Sequence, residues 1–340
     1  MKTYFVTGGA GFIGSAFIRL VLGETDDIHV INYDALTYSG NLENLSGIEA
    51  GRYKFIKGDI RDADAVATAM PVDIDTVINF AAESHVDRSI ASAHEFVTTN
   101  VLGTQVLLDA ARAKGVGRFC QISTDEVMGS LADDSADVFT DDSPFAPNSP
   151  YAASKAAAEH LVRAARETFG LDSVITRCGN NYGPRQFPEK LIPLMIANAL
   201  AGEPLPVYGD GGNVRDWIYV DDHCRAILRI VEESPAGETY NIGARNERKN
   251  IDVVTSILDA LDKPHSLIQF VKDRPGHDRR YAIDASRIEG LGWRPQETWT
   301  TGLEKTIKWY LDNPDWVARV RSGDYLEYYS RQYGTVMAAK

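Results

Sequence analysis

A glycine-rich turn close to the start of the chain constrains the fold more than any other feature. Gly8-Gly9-Ala10-Gly11-Phe12-Ile13-Gly14 follows an apolar β-type run, Thr3–Thr7, and opens an apolar stripe with helical spacing. Glycine permits a tight turn, lets backbone N–H groups approach a pyrophosphate and allows a helix to pack closely on a strand. We therefore predict that a dinucleotide binds at Gly8, Gly11, Phe12, Ile13 and Gly14.

An acidic residue stands where the second predicted strand ends. Asp34 lies twenty residues beyond Gly14, at the position expected to accept hydrogen bonds from an adenosine ribose. A carboxylate there would repel a 2′-phosphate, so we predict NAD rather than NADP. Asp59 and Ile60, after the third strand, are predicted adenine contacts by position alone, and a simple turn is the alternative for them. The other predicted cofactor contacts are Leu36, Thr37, Phe80, Ala81, Ala82, Ser84, Thr99, Tyr151, Lys155 and Asn181.

Strand patterns alternate with helix patterns along the first half of the chain. This order predicts an α/β fold, a Rossmann-type doubly wound parallel sheet over residues 1–178, joined by a returning strand near 239–242. Beyond it, proline-rich mixed segments predict a smaller mixed α/β substrate lobe over 179–330, and Asp133–Pro150 is predicted to be a surface loop. Strands are predicted at His29–Asn32, Tyr53–Lys57, Thr76–Phe80, Arg118–Ser123 and Asp172–Thr176, and long helices at Ala93–Lys114 and Tyr151–Phe169.

Charge and cysteine content narrow the function classes. The 340 residues include 35 Lys and Arg against 48 Asp and Glu, a net charge of −13 that repels phosphate backbones and anionic lipid. Nucleic acid and membranes are therefore not expected as partners. The three cysteines, Cys120, Cys178 and Cys224, lie far apart without metal-ligand spacing, so we expect no disulfide framework and no metal, and a cytoplasmic location.

Two further residues with catalytic potential are four apart at the start of a predicted helix. Tyr151 and Lys155 share one helix face, with Ser149 as the candidate N-cap and Pro150 in the first turn. An ammonium beside a phenol favours the phenolate, so this spacing predicts a lowered pKa for Tyr151 and a role as general base. Thr124, at the carboxyl end of the fifth strand, lies where open α/β sheets bind ligands.

At these residues the chain resembles the extended short-chain dehydrogenase/reductase superfamily, and within it the dTDP-glucose 4,6-dehydratases. The resemblance is carried by five motifs in order. They are Ala81-Ala82-Glu83-Ser84-His85-Val86-Asp87-Arg88-Ser89, Ser123-Thr124-Asp125-Glu126-Val127, Asn180-Asn181-Tyr182-Gly183-Pro184, Phe187-Pro188-Glu189-Lys190-Leu191-Ile192-Pro193 and Arg274-Pro275-Gly276-His277-Asp278-Arg279-Arg280-Tyr281.

The resemblance implies a closed redox cycle that removes water from a hexose. Tyr151, assisted by Thr124 and Lys155, takes the proton from O4 while hydride passes from C4 to NAD and later returns to C6. Asp125 then acts as the acid for the C6 hydroxyl and Glu126 as the base for the C5 proton. Adjacent strand residues point to opposite faces, so both can reach one sugar only if the backbone leaves strand geometry here, as Gly129 would permit.

The same resemblance supplies the residues for a nucleotide-sugar, and it implies a homodimer. A diphosphate on a chain of net charge −13 needs cations concentrated locally, and Lys190, Arg215 and Arg274 are the candidates. The remaining predicted substrate contacts are Ser84, Thr124, Asp125, Glu126, Asn180, Glu189, Leu191, Pro206, Tyr208, Asn250 and His277.

Two groups of alternatives remain open at this point. Nucleotide-sugar 4-epimerases and UDP-glucuronate decarboxylases share the glycine turn and the Tyr151/Lys155 pair but need no acid pair. A catalytically inactive NAD-binding scaffold would keep the glycine turn but would need neither the Tyr151/Lys155 pair nor the acid pair. The chain also departs from the family pattern, which usually has tyrosine at Met128, serine at Gly179 and an aromatic residue at Arg185. These departures leave the nucleotide and the sugar substituents open.

Overall fold

The computed structural model describes residues 1–49 and 51–322, and its centre is a parallel sheet. The strands run in the spatial order β10-β6-β5-β4-β1-β2-β3, so the direction of winding reverses between β1 and β4. Ligands of such sheets bind at the carboxyl ends of the strands beside this reversal. The predicted Rossmann-type sheet is confirmed. Its strands are β1 (Lys2–Thr7), β2 (Ile28–Asp34), β3 (Tyr53–Lys57), β4 (Thr76–Asn79), β5 (Arg118–Thr124), β6 (Ser173–Cys178) and β10 (Thr239–Ile242).

Helices cover both faces of this sheet because each presents an apolar stripe to it. On one face, α1 and α8 bury Phe17, Val21 and Ile227. On the other, α5 and α6 bury Leu107 and Val162. The helices are α1 (Phe12–Glu24), α2 (Ala63–Ala69), α3 (Val86–Ala91), α4 (His94–Phe96), α5 (Thr104–Ala113), α6 (Pro150–Phe169), α7 (Leu191–Ala201), α8 (Val220–Glu233), α9 (Asn250–Ala260), α10 (Ser286–Gly290), α11 (Trp299–Asp312) and α12 (Pro314–Val320).

The later part of the chain builds a second, smaller core. Two short sheets, β11-β9-β7 and β12-β8, pack with α7, α9 and α11 around Met195, Trp217 and Leu303. Helix α8 and β10 return to the large sheet, with β10 parallel to β6. The division at residue 178 stays a prediction, and residues 323–330 of the predicted lobe lie outside the described residues. These strands are β7 (Asn180–Tyr182), β8 (Leu205–Tyr208), β9 (Val214–Tyr219), β11 (Glu247–Lys249) and β12 (Ile268–Val271).

The helix predicted over Ala93–Lys114 has an internal change of pitch. Between α4 and α5 the chain forms a π-helical segment, Val97–Gly103. Such segments widen a helix locally and are frequent at functional sites. Here the segment places Thr99 in the main cleft and buries Asn100, whose side chain accepts from the Glu83 N–H and donates to Ser154 Oγ, at 2.9 and 2.8 Å.

The longest regular helix, α6, begins as its sequence predicts. The Ser149 side chain caps it by accepting from the Ala152 N–H, Pro150 occupies the first turn, and Gly170 ends it at a φ of 72°. Among residues 1–49 and 51–322, no helix combines the length and the apolar character that crossing a bilayer would require.

Candidate active site

The main cleft follows the carboxyl ends of the central strands. It is lined by the glycine turn after β1, by the loops after β2, β3 and β4, by the end of β5, and by the first turns of α6. It then continues past β7 to the segment before α7. A single cleft therefore joins the predicted dinucleotide turn to the predicted catalytic residues.

Close backbone packing explains the glycines of the turn. Gly8 has a φ of 68°, and a Cβ atom there would lie 2.6 Å from the Ala81 nitrogen. A Cβ atom on Gly14 would lie 2.3 Å from the Gly8 carbonyl oxygen. Neither position accepts a side chain without a shift of the backbone, so the turn keeps an open cradle at the N-terminus of α1, where backbone N–H groups favour an anion.

Asp34 is buried at the end of β2 and braces this turn. Its carboxylate accepts from the Ala10 N–H at 2.9 Å and from the Leu36 N–H at 2.7 Å. Burial raises the pKa of Asp34, and these two hydrogen bonds oppose the rise. Leu36, at a φ of 53°, is thereby turned so that it does not line the cleft. The predicted cofactor residues that line it are Gly8, Gly11, Phe12, Ile13, Gly14, Asp34, Thr37, Asp59, Ile60, Phe80, Ala81, Ala82, Ser84, Thr99, Tyr151, Lys155 and Asn181.

The acid pair sits where the backbone leaves strand geometry, as the sequence requires. Strand β5 ends at Thr124, whose side chain caps a 3₁₀ turn over Asp125–Met128 by accepting from the Glu126 N–H at 3.3 Å. Gly129 follows with a φ of 87°. Both Asp125 and Glu126 consequently line the same cleft.

The surroundings act differently on the pKa values of the two carboxyl groups. Burial raises the pKa of Asp125 well above its ordinary value, and the Glu126 charge raises it further. Burial also raises the pKa of Glu126, but Arg274, Arg215 and Lys190 all act to lower it. Asp125 Oδ2 is buried and makes no hydrogen bond to any described residue. Asp125 is therefore suited to remain protonated while Glu126 is suited to ionise.

The predicted lowering of the Tyr151 pKa is wrong for the structure as it stands. Burial raises the pKa of Tyr151 well above its ordinary value, as does the Glu126 charge, while a hydrogen bond with Thr124 acts to lower it. The Lys155 ammonium donates to the Ile122 carbonyl at 2.5 Å, and burial lowers the pKa of Lys155 to about 8. Helical spacing brings the two residues to one face of the helix, but it does not show how deeply that face is buried.

A charged cluster lies outside the cleft lining, close enough for the Arg274 charge to act on Glu126. Asp87, at the start of α3, accepts from Arg274 Nη1 at 3.0 Å and from the Tyr208 hydroxyl at 3.0 Å. Arg274 Nε is buried and makes no hydrogen bond within residues 1–49 and 51–322. His277 contacts the Tyr208 ring edge-on and Asp273 through Nδ1, and burial lowers its pKa to about 4. Asp87 thus connects α3 to the end of β8 and to the segment after β12.

The other predicted substrate residues divide between the cleft and its surroundings. Lys190 donates to the Ser84 carbonyl at 2.8 Å, and Glu189 accepts from the Tyr38 hydroxyl at 2.9 Å. Arg215 is buried over the Tyr281 ring and donates to the Asp278 carbonyl. The predicted residues that line the cleft are Ser84, Thr124, Asp125, Glu126, Asn180, Glu189 and Lys190, whereas Leu191, Pro206, Tyr208, Arg215, Asn250, Arg274 and His277 do not line it directly.

Comparison with known proteins agrees with this arrangement. Residues 5–306 match the family described as GDP-mannose 4,6 dehydratase. A dTDP-glucose 4,6-dehydratase of Escherichia coli is 53% identical over 350 residues, covering 94% of this chain and 96% of that protein. The crystal structure of a dTDP-glucose 4,6-dehydratase from Streptomyces venezuelae, with NAD bound, matches with a TM-score of 0.90 at 48% identity, covering 94% of this chain and 99% of that one. The chain belongs to the dTDP-glucose 4,6-dehydratase family.

The epimerases share the fold at lower identity than these dehydratases. The UDP-glucose 4-epimerase of Thermus thermophilus, in complex with NAD, matches with a TM-score of 0.84 at 30% identity, covering 92% of this chain and 99% of that one. The resemblance to dTDP-glucose 4,6-dehydratases is therefore confirmed.

Several residues of the dehydratase cleft were not predicted from sequence. Arg61 pairs with Asp59 and Glu95 at the cleft edge, with N–O distances of 2.7 and 2.9 Å. Cys178, at the end of β6, lines the cleft beside Asp125 and Lys155. Neither carries a spacing signal. Asp87 does lie within a family motif, and its position between His85 and Arg88 was the available signal.

The three departures from the usual dehydratase pattern each have a structural counterpart. Met128 Sδ lies 3.8 Å from Arg177 Nη1, so a thioether contacts the buried Arg177–Glu159 ion pair. A Cβ atom on Gly179 would lie 2.7 Å from the Asp216 carbonyl oxygen. Arg185 has a φ of 67° and stacks over the Trp309 ring at 5.2 Å. All three belong to packing around the cleft.

Proposed function

We propose that this chain converts dTDP-glucose to dTDP-4-keto-6-deoxyglucose, a lyase reaction that removes one water molecule without net oxidation. The observation that carries the proposal is the acid pair Asp125 and Glu126, which lines the same cleft as Tyr151 and Lys155. Close relatives named for this reaction support it. Deoxysugar biosynthesis is the process that such a product would serve.

The cofactor in this proposal is NAD, and the cradle fits it. The side-chain-free space at Gly8 and Gly14 would take the pyrophosphate, and Asp34 would accept from the adenosine ribose. The bound nicotinamide supplies a hydride acceptor and donor, together with a positive charge that favours the Tyr151 phenolate. Leu36 would act only indirectly, through its N–H bond to Asp34.

The proton steps are divided among the residues of the cleft. Tyr151, hydrogen-bonded to Thr124, would accept the O4 proton, and Lys155 would hold positive charge beside it. Asp125, with its raised pKa, would donate a proton to the departing C6 hydroxyl. Glu126 faces three cations and would take the C5 proton. No metal is needed for these steps.

The nucleotide end of the substrate would lie against the charged cluster. Arg274 offers a buried N–H without a partner among the described residues, and Lys190 and Arg215 supply further positive charge. Pro206 and Tyr208 are proposed to pack on the base. Asn180, Glu189, Leu191, Asn250 and His277 complete the proposed contacts around the diphosphate and the nucleoside.

We also propose a homodimer in the cytoplasm. Val97, Leu102 and Phe169 are about half exposed on the helices around α5 and α6, with exposed fractions of 53%, 51% and 54%, and a second copy would cover them. The three cysteines are buried and unpaired, as a reducing compartment would leave them. The net charge of −13 argues against nucleic acid or anionic membranes as partners.

The proposal is tested with a panel of sugar nucleotides. Purified protein incubated with dTDP-glucose, UDP-glucose and GDP-mannose should give the alkali-induced absorbance of a 4-keto sugar fastest with dTDP-glucose. Deuterium placed on C4 should appear on the C6 methyl group of the same molecule. C4 inversion without loss of water, with the label still on C4, would instead support an epimerase, and release of the label to solvent would contradict internal hydride transfer.

A further inference from the structure

The last described helix, α12, is connected to the glycine turn through two buried side chains, Trp316 and Asn44. Trp316 of α12 donates its indole N–H to Asn44 Oδ1 at 3.0 Å, across 272 residues of sequence. Both side chains are almost fully buried, with exposed fractions of 6% and 1%. Asn44 lies in a 3₁₀ turn, Leu42–Leu45, that follows the loop after β2.

Asn44 in turn holds the backbone of the turn itself. Its Nδ2 donates to the Ala10 carbonyl at 3.1 Å, and the Asn41 N–H donates to the same oxygen at 3.0 Å. The Ala10 N–H is bound by Asp34. The peptide groups on both sides of Ala10 are therefore fixed from outside the turn, while the cradle side is left open.

We propose that Trp316 is a positioning residue for NAD, acting through Asn44 on the glycine turn. An indole can only donate, so it selects the amide orientation in which Oδ1 faces Trp316 and Nδ2 faces Ala10. The flipped amide would point Oδ1 at the Ala10 carbonyl oxygen and lose both hydrogen bonds. This inference rests on the proposed function, because it assumes that the turn binds NAD.

Neighbouring residues of α12 and α11 keep the indole in place. Arg319, three residues on, forms a bidentate pair with Glu43 of the same 3₁₀ turn, at 2.6 to 3.2 Å. The Trp316 ring packs edge-on against Trp309, with centroids 5.0 Å apart. Trp293 is also buried and donates its indole N–H at 3.0 Å, but to the Asp222 carbonyl of α8 instead of to Asn44, so it serves as a matched control.

The test compares Trp316→Phe with Trp293→Phe in the full chain. Phenylalanine keeps an aromatic ring at each site but removes the indole N–H. We expect bound NAD to exchange with labelled NAD about 2- to 10-fold faster in Trp316→Phe, since one buried hydrogen bond is lost. Trp293→Phe should exchange like the parent, because its lost hydrogen bond does not reach Asn44. Equal effects in both variants, or none in Trp316→Phe, would overturn the proposal.

A second measurement does not require NAD at all. Amide hydrogen exchange over residues 8–14 of the NAD-free protein should rise by a similar factor in Trp316→Phe and rise further in Asn44→Asp, where a carboxylate would repel the Ala10 carbonyl. A parent protein that binds no NAD would contradict the proposed function, whereas unchanged amide exchange in both variants would contradict the inference about Trp316.

Discussion

The two ends of the cleft are built differently. The proposed cofactor end, meaning the Gly8–Gly14 turn with Asp34, uses backbone groups and one carboxylate from consecutive elements. The proposed nucleotide-sugar end, meaning Asp87, Lys190, Tyr208 and Arg274, uses charged and polar side chains whose hydrogen-bond partners lie 106 to 187 residues away in the sequence. The glycine turn can bind a ligand only while no Cβ atom fills it, whereas the charged cluster depends on ion pairs and hydrogen bonds between its side chains. The two ends should therefore fail under different substitutions.

The largest effect is expected where the two ends meet, at the acid pair. In Asp125→Asn with Glu126→Gln, the rate of water loss should fall by about 10³-fold or more, because proton transfer at two positions is removed. Oxidation at C4 should persist, and the nicotinamide absorbance at 340 nm would report it. Formation of 6-deoxy product at the parent rate would show that the pair has been assigned wrongly.

Next in size is a substitution that should break only the cofactor end. In Gly14→Ala, the added Cβ would lie 2.3 Å from the Gly8 carbonyl oxygen, so the turn must open. We expect NAD affinity to fall by about 100-fold, measured by titration, with dTDP affinity nearly unchanged. Gly23→Ala, on the same helix, is the matched control, because a Cβ atom there meets nothing within 4 Å. Equal losses in both variants would refute the clash explanation.

A third prediction concerns how the folding stability of the protein depends on pH, through a histidine that contacts Asn181 of the cleft. His223 is fully buried, its Nδ1 contacts Asn181 Oδ1 at 2.8 Å, and burial lowers its pKa to about 3. Between that value and the ordinary 6.5, only the unfolded state binds the proton, so stability is complete above pH 6.5 and is lost as the pH falls towards 3. At pH 5 the loss should be about 2 kcal/mol, measured by urea unfolding.

His223→Gln provides the comparison for this prediction. Glutamine can still donate to Asn181 but does not titrate, so the difference in unfolding free energy between parent and variant should change between pH 7 and pH 5. A constant difference across that range would mean that His223 does not titrate as its burial implies.

The smallest effect should be confined to the nucleotide-sugar end. Asp87→Asn leaves Arg274 buried beside a neutral partner, and dTDP affinity should fall by about 10-fold, with NAD affinity unchanged. Tyr208→Phe removes only the hydroxyl that donates to Asp87 and should cost about 3-fold. Calorimetric titration with dTDP measures both. A larger loss for Tyr208→Phe than for Asp87→Asn would mean that the tyrosine, rather than the ion pair, holds this end together.

The contrast also marks what sequence could predict. The cofactor end is encoded by spacing between neighbours, so the turn, Asp34 and the large sheet were predicted from local patterns. The π-helical segment before α5 was missed, because an apolar stripe does not distinguish a widened turn from a regular one. The direction of the Tyr151 pKa was wrong, because a pairwise argument with Lys155 omitted burial.

Contacts between distant segments carry no sequence pattern. Nothing local to Asp87 indicates Arg274, and nothing local to Asn44 indicates Trp316. Their pairing follows from how the smaller core and α12 pack on the large sheet. Residues outside the cleft, such as Arg215 and His277, were selected by family resemblance, and their roles stay predictions.

The close approach at Gly179 has a consequence for evolution and for chimera design. The backbone of β9 passes so near this position that a serine there requires the Asp216 carbonyl to move. Residue 179 and the backbone path of β9 should therefore change together, and a loop graft between homologues that replaces only one of them would import a steric conflict instead of a new specificity.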